Sequence, residues 1–293
     1  MEIKIGFIGQ GWIGKHYADE FEARMYAVVR YSLEEPYIQN KDLIKDCAVV
    51  FIAVPTPTTE EGFDDSIVRD ALTLVGKGKI AVIKSTLLPG TTEKLQSEFK
   101  EIFVLHSPEF LVEATAAYDA AKPQRNLVGI PIDSPEYTAK AEAVLRILPE
   151  APYAKIMSAR DAEMVKYAGN CFLYTKVLYM NMLYDLTQKI GCNWEVFREA
   201  LIHDARIGES HTQPVHASGH DVDGHAQVKR GAGGHCLIKD FEALRMMYKD
   251  EVASTEGDVL LKAMVELNNK FLIESGKDLD LLKGVYGSDF SVK

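Results

Sequence analysis

The chain predicts an α/β fold, with an N-terminal doubly wound sheet over residues 1–157 followed by an all-helical domain over residues 158–293. Three observations carry this reading. Short apolar runs alternate with helix-period segments through the first half, the pattern of a sheet flanked by helices. A glycine-rich turn joins the first run to the first helical segment, and beyond Ser158 the apolar residues keep helical spacing for an unusual length.

Composition sets the outer bounds. A length of 293 residues suggests two domains and real cores. With 26% charged and 47% hydrophobic residues the balance is that of an ordinary globular protein. The net charge of -10 argues against nucleic acid or an anionic membrane as partner, although local phosphate sites remain open. The N-terminus does not read as a signal peptide, and no apolar run approaches membrane-spanning length. Cys47, Cys171, Cys192 and Cys236 are scattered without paired spacing, which predicts reduced thiols and a cytoplasmic setting.

Ile3 to Ile8 reads as a strand and runs into Gly9-Gln10-Gly11-Trp12-Ile13-Gly14, after which Ile13, Tyr17, Ala18 and Phe21 recur at helical spacing. In such a strand-turn-helix unit Gly9 makes the tight turn, Gly11 admits a pyrophosphate and Gly14 lets helix and strand pack closely. The phosphates then sit at the helix N-terminus, beside Trp12 and Ile13. This is the Rossmann-type dinucleotide fingerprint. The second strand, Tyr26 to Tyr31, should end in an acidic residue for the ribose of NAD. Arg30-Tyr31-Ser32 stands there instead. Arg30 suits the 2′-phosphate of NADP, and equally adenine stacking or solvent, so both cofactors stay open on this criterion.

Further strands at Ala48 to Val54, Ile80 to Ile83 and Phe103 to Leu105 each end in a polar loop. Open sheets of this class bind ligands at the carboxyl ends of their strands, so the three loops should converge on one crevice. The first two place Val54, Pro55, Thr56, Ser85 and Thr86 against the cofactor. The third is His106-Ser107-Pro108-Glu109-Phe110-Leu111-Val112-Glu113. Helices at Ser66 to Val75, Thr92 to Phe99 and Glu136 to Leu148, with strands at Leu127 to Ile132 and Tyr153 to Ile156, complete the domain.

The second half opens on Ser158-Ala159-Arg160-Asp161, at capping-box spacing, and a helix from Ala159 to about Ile190. A helix of that length often carries a dimer interface. Lys166 and Asn170 share one face of it, where an amine and an amide can donate to a developing negative oxygen; a solvated helix face is the alternative. Asn193 can cap a helix from Trp194 to Ala205. Residues 209–230 read as an irregular segment bearing His211, His216, His220 and His225. Their spacing fits no standard zinc pattern, so no metal is expected, and a mobile pH-sensitive lid is the better reading. Next comes Arg230-Gly231-Ala232-Gly233-Gly234-His235-Cys236-Leu237-Ile238-Lys239-Asp240. Its glycines let a ligand approach the backbone, and a thiol near a helix start ionises more readily, whereas the plain reading is a buried cysteine in a turn. Helices are expected at Asp240 to Tyr248 and Glu256 to Glu274, with Thr255 and Asp258 at capping spacing, before a polar tail.

Taken in order, GFIGQGWIG, FIAVPTPT, KSTLLPGTT, SPEFLVEA, AEMVKYAGN, DARIG and GAGGHCLIKD resemble the UDP-glucose/GDP-mannose dehydrogenase family from Lys4 to about Phe271. The resemblance implies oxidation of the C6 alcohol of a nucleotide sugar to a carboxylate, with two nicotinamide cofactors and a thiohemiacetal on Cys236. It tilts the cofactor toward NAD and implies a homodimer through helix 159–190. By matching position, Asp240 would activate the alcohol or the hydrolytic water, Lys166 and Asn170 would stabilise the alkoxide or oxyanion, and Thr86 and Glu109 would hold water. Substrate would lie against Glu109, Phe110, Leu111, Glu113, Lys166, Asn170, Gly233 and Arg206, the last from its own or the partner subunit.

Two departures qualify the resemblance. The family's third, nucleotide-gripping domain has no counterpart here beyond a faint echo of its opening strand and turn in Gly284 to Phe290, which suggests a short form. Residues 209–230 are also longer than the family's connection to the cysteine motif. A single-step NAD(P)-dependent hydroxyacid or alcohol dehydrogenase that leaves Cys236 idle, and a shortened non-catalytic paralogue, therefore stand as alternatives.

Overall fold

The structure, a computed structural model, describes residues 3–220 and 226–292. The chain divides into two compact units, Met1–Pro57 with Asp64–Lys166, and Thr58–Phe63 with Tyr167–Lys293. The expected boundary at 157/158 falls at the foot of a long helix, whereas the compact units divide inside that helix, after Lys166.

In chain order the elements begin with β1 (Lys4–Ile8), α1 (Trp12–Ala23), β2 (Ala27–Tyr31) and β3 (Val49–Ile52), with a 3-10 segment at Ile38–Asp46 before β3. A small hairpin, β4 (Thr58–Thr59) and β5 (Gly62–Phe63), belongs to the second unit. The first unit resumes with α2 (Ser66–Leu72), β6 (Ile80–Ile83), α3 (Thr91–Glu98), β7 (Phe103–His106), α4 (Ala116–Ala121), β8 (Arg125–Ile130), α5 (Pro135–Ile147) and β9 (Tyr153–Ser158).

These strands form one sheet in the order β2-β1-β3-β6-β7-β8-β9. All neighbours are parallel except β7 and β8, which meet at a single antiparallel pair, His106 with Gly129. Central strands covered on both faces read as continuous apolar runs, and β3 and β6 are buried at every position. Phe7 of β1 stacks on Phe51 of β3 at 5.1 Å between ring centroids, and Phe21 of α1 packs 5.3 Å from each of them. Strand order reverses at β1, so the carboxyl ends of β1 and β3 flank the switch point where such sheets hold ligands.

The 32-residue helix α6 (Ala159–Ile190) starts where its cap predicts. Ser158 Oγ accepts the Asp161 amide at 3.1 Å and donates to the Asp161 carboxylate at 2.6 Å. Gly129 on β8 permits its entry: a Cβ there would lie 2.7 Å from the Ala159 Cα and 3.0 Å from the Ala162 Cβ.

In the second unit α6 is followed by α7 (Trp194–Ile202), which Asn193 caps by accepting from the Val196 amide and which is shorter than the expected run to Ala205. Strands β10 (Val215–His220) and β11 (Ala226–Arg230) then pair antiparallel, so the segment expected to be irregular is a hairpin with a register shift between Ser218 and His220. His225 lies outside the described residues. Helices α8 (His235–Glu251), α9 (Thr255–Ser275) and α10 (Leu279–Tyr286) complete the unit. Two boundaries differ from expectation. Helix α8 begins five residues before Asp240, and α9 is capped by Ser254, whose Oγ accepts from the Gly257 amide, rather than by Thr255. The tail expected to echo a strand and turn forms α10 instead, with Leu282, Val285 and Tyr286 buried. The core of this unit includes Tyr174 stacked on Phe241 at 3.9 Å. Among the described residues no helix is long and apolar enough to cross a membrane.

Gly129→Ala should force the start of α6 away from β8, because neither contact is the end of a flexible side chain. The expected loss is about 1–3 kcal/mol, read as a lower urea midpoint at unchanged slope. An unchanged midpoint would show that helix and strand have room to separate at no cost.

Candidate active site

At the switch point the glycines divide their work. Gly9 has φ +89, and a Cβ on it would lie 2.1 Å from the Ala53 carbonyl oxygen, so it lets the β1 turn lie against the end of β3. A Cβ on Gly14 would lie 2.0 Å from the Gly9 carbonyl oxygen, so its absence brings α1 down onto the turn. Gly11, the N-cap of α1, has nothing within 4 Å of that position. The result is an open, backbone-lined helix N-terminus of the kind that receives a pyrophosphate. Trp12 and Ile13 are half-buried beside it.

The loops after β3 and β6 are laced together. Ser85 Oγ accepts the Val54 amide at 2.9 Å and donates to the Val54 carbonyl at 2.7 Å, while Thr56 Oγ1 donates to the Thr86 carbonyl at 2.8 Å. Pro55 is exposed. Arg30 is buried and engaged by acids of α1. Its guanidinium meets the Glu22 carboxylate at 2.9 and 2.7 Å and Asp19 at 2.7 Å, and lies 5.9 Å from the Tyr37 ring centroid.

Charge is concentrated under the loop after β7. Glu109 Oε1 accepts from Lys166 Nζ at 2.7 Å and Oε2 accepts the Leu111 amide at 2.8 Å, with the two side chains only 2% and 5% exposed. The Phe110 ring carries Arg125 3.7 Å from its centroid and Lys166 at 5.7 Å. Glu113 begins an exposed 3-10 turn, Glu113–Thr115. Lys84 is buried as well. It donates to Ser107 Oγ at 3.2 Å and sits 4.4 Å from the Tyr17 ring centroid. Burial pulls its titration down to about 7; Glu109 opposes the shift and Lys166 adds to it. Neighbouring His106 is fully buried and pushed down to about 3, by burial first and then by the Lys84 charge.

Glu163, one turn before Lys166 on α6, ties the loop after β6 to the helix. Its carboxylate accepts from the amides of Gly90 at 2.6 Å and Thr92 at 2.8 Å and from Thr92 Oγ1 at 2.6 Å. Those amides belong to the start of α3, whose dipole favours a negative partner. Burial nevertheless raises the carboxyl to about 7 against these donors.

The second unit holds a separate group. Cys236 stands in the first turn of α8, half-buried, after the N-cap Gly234. Asp240, four residues on and fully buried, accepts from Asn170 Nδ2 at 2.6 Å and from Lys239 Nζ, and its carbonyl receives the Cys171 thiol at 3.6 Å. Gly233 is buried in the turn. Arg206 is exposed and folded back on Asp204 through 3.0 and 2.6 Å contacts. His216 is half-buried, and loss of water followed by the nearby Lys277 charge draws it down to about 4, so its titration lies below the physiological range. Among the described residues no three His, Cys, Asp or Glu side chains gather to hold a metal ion.

Of the expected residues, the first unit pairs Glu109 with Lys166 and ties the Thr86 carbonyl to Thr56, and the second pairs Asn170 with Asp240, one turn after Cys236 on α8. Lys84, Glu163 and Arg125 were not anticipated. For Lys84 and Glu163 the sequence held a signal, since both lie inside the motifs KSTLLPGTT and AEMVKYAGN. Arg125 carried none.

Two models of one family match the chain. The NAD binding domain of the UDP-glucose/GDP-mannose dehydrogenase family matches residues 35–148, and the central domain of that family matches residues 160–270. Similar curated proteins include UDP-glucose 6-dehydrogenase YwqF of Bacillus subtilis, 30% identical over 261 residues, which cover 83% of this chain and 54% of that protein. UDP-glucose 6-dehydrogenase of Streptococcus pneumoniae is 27% identical over 288 residues, covering 85% and 69%. The chain spans about half the length of most of these relatives. Among solved structures, a UDP-glucose dehydrogenase from Pyrobaculum islandicum superposes with a TM-score of 0.74 at 24% identity, over 92% of this chain and 68% of that one.

Glu163→Gln tests the tie between α6 and α3. A carboxyl raised from 4.5 to about 7 in the folded state keeps its proton where the unfolded chain has lost it, so stability should fall as pH rises from about 4.5 to about 7. The slope amounts to about 3 kcal/mol at most. Chemical unfolding at a series of pH values should show it in the parent and lose it in the glutamine variant. Equal slopes in both proteins would remove Glu163 as its source.

Proposed function

The chain belongs to the UDP-glucose/GDP-mannose dehydrogenase family, and from that premise we propose that it oxidises the C6 alcohol of a nucleotide sugar to the carboxylate in two NAD-dependent steps through Cys236. One observation carries the reading. Lys166 and Asn170, one turn apart on α6, are each held by a buried carboxylate within their own unit, Glu109 at 2.7 Å and Asp240 at 2.6 Å. Unpaired, these groups would be a costly way to build a helix face. Paired, they are oriented donors for an oxygen that gains charge.

The turn Gly9–Gly14 fits a nicotinamide dinucleotide, since the space over Gly11 is open and the α1 amides face it. When bound, that cofactor accepts hydride, and the protein binds, orients and moves protons. Arg30 is spent on Asp19 and Glu22, so a 2′-phosphate would have to displace two carboxylates of its own sign. This favours NAD over NADP.

In the proposed sequence the alcohol loses a proton and a hydride to give the aldehyde, with Asp240 drawing the proton and Lys166 and Asn170 steadying the oxygen. The Cys236 thiolate adds to the carbonyl carbon, forming a C–S bond and an alkoxide that is protonated to a thiohemiacetal. Loss of a second hydride and of the hydroxyl proton gives a thioester. Water held by Thr86 and Glu109 breaks the C–S bond, releasing the carboxylate and returning the thiol. By their place in the family's motifs, Phe110, Leu111 and Glu113 of the first unit and Gly233 and Arg206 of the second are assigned to substrate. The balance is one alcohol, one water and two oxidised cofactors giving one carboxylate, two reduced cofactors and three protons.

The assay counts reduced cofactor per substrate consumed, with NAD and NADP each offered against UDP-hexoses, UDP-N-acetylhexosamines and GDP-mannose. Two per substrate are expected, with NAD preferred. Cys236→Ser should lower carboxylate formation by on the order of 10³-fold or more. One reduced cofactor per turnover, with that variant fully active, would favour a single-step dehydrogenase. An inert Cys236 thiol with no cofactor binding would favour a non-catalytic relative.

We also propose a homodimer on α6. Phe172, Tyr179, Met182, Leu186 and Ile190 are exposed at helical spacing, a stripe that the chain's own packing leaves uncovered. Light scattering should give twice 32.6 kDa for the parent. Phe172→Asp with Leu186→Asp should give the single-chain mass, and a variant that stays dimeric places the interface elsewhere.

A further inference from the structure

The residues between β11 and α8 decide where Cys236 stands. Gly231 and Gly234 both have φ near +90, and a turn of that shape leaves backbone groups that neither strand nor helix can satisfy. Here they are met from one stretch, the end of α9 and the residues just after it. Asn268 accepts the Ala232 amide at 2.8 Å and donates back to the Ala232 carbonyl at 3.0 Å. Ser275 Oγ donates to the Arg230 carbonyl at 3.3 Å, and Asp278 accepts the Gly234 amide at 2.8 Å. Lys277 Nζ donates to the carbonyls of Lys229 at 3.1 Å and Gly231 at 3.3 Å.

Lys277 also reaches the other strand of the hairpin, with the His216 carbonyl at 3.2 Å and the His216 Nε2 at 3.5 Å. A fully buried lysine is rare, because the ammonium must give up water. Its burial is arranged by the chain. Gly276 and Asp278 both take left-handed backbone, and the Lys277 amide bonds back to the Leu272 carbonyl at 2.8 Å, which turns the residue inward at the end of α9. Burial lowers its titration to about 8, against the nearby Asp278 carboxylate. No step of the proposed reaction uses this cation. What its donors do is gather three carbonyls from β10, β11 and the cysteine turn onto one nitrogen.

We propose that Lys277 is a positioning residue for Cys236: its buried ammonium locks the hairpin to the turn 231–234 and so fixes the thiol in the first turn of α8. It acts through the backbone and touches no reacting atom. The proposal rests on the reading of Cys236 as nucleophile only for its catalytic consequence, since the placement of the thiol can be measured without substrate.

The experiment measures alkylation of Cys236 by iodoacetamide against pH in the full chain, in a Cys192→Ser background that removes the exposed thiol. A thiol held at a helix N-terminus ionises below its ordinary value of about 8.5, and a loosened turn forfeits that advantage. Lys277→Met should therefore move the midpoint of the alkylation profile upward by about one pH unit, lowering the rate at pH 7 roughly tenfold, and Lys277→Arg should restore part of it. With saturating substrate kcat should fall in Lys277→Met while KM stays within about twofold. A folded Lys277→Met whose midpoint matches the parent overturns the proposal, whatever its rate. Should the methionine variant fail to fold, Lys277→Gln takes its place: an upward shift of the midpoint supports the positioning role, and a midpoint equal to the parent's overturns it. If Cys236→Ser still makes carboxylate at the parent rate, the catalytic reading fails, and the midpoint decides the positioning role on its own.

Discussion

A carboxylate taken out of water must be met by donors, and in this protein the donors are loop amides together with side chains of α6 and α8. Glu163 draws in the amides of Gly90 and Thr92. Glu109 takes Lys166 and the Leu111 amide, Asp240 takes Asn170 and Lys239, and Asp278 takes the Gly234 amide. Each of these acids is nearly or wholly buried. Leaving any one without its donors would cost several kcal/mol, which is large against a net stability of roughly 5–15 kcal/mol. The same constraint that stabilises the loops therefore also fixes their conformation, and the functional groups between the anchored amides inherit that rigidity.

Helix α6 gives this constraint its register. Glu163, Lys166 and Asn170 follow one another at intervals of three and four residues, so they lie along one face. The first two belong to the first unit and the third to the second. A single unbroken helix thus carries polar groups that serve each unit from within.

Much of the architecture was legible because it is written in local terms. The β1 turn is specified by glycines whose spacing reflects backbone contacts, and the start of α6 by the Ser158 cap. Buried strands such as β3 and β6 announce themselves as apolar runs. What escaped depends on partners far along the chain. Glu163 meets residues more than 70 positions away, and Lys277 meets carbonyls nearly 50 and more positions away. Neither bond leaves a periodic trace. The β10–β11 hairpin is not legible as strand because it mixes histidine, serine, glycine and lysine without clean alternation. Helix α10 was hidden by Gly284 within it and Gly287 at its end, and is held by tertiary burial of Leu282, Val285 and Tyr286 rather than by propensity.

The β4–β5 hairpin carries a consequence for how this chain can be divided. Its six residues are flanked on both sides by the first unit, yet they pack with α8 and α10 and belong to the second. The second unit is therefore discontinuous in sequence. Cutting the chain after Lys166 would yield an N-terminal fragment bearing a hairpin stripped of its packing and a C-terminal fragment lacking a piece of itself. During synthesis those residues leave the ribosome long before α8 and α10 exist, so the second unit can close only after more than 200 later residues have followed them. Modules swapped among relatives at the helix boundary would have to carry this short segment with them.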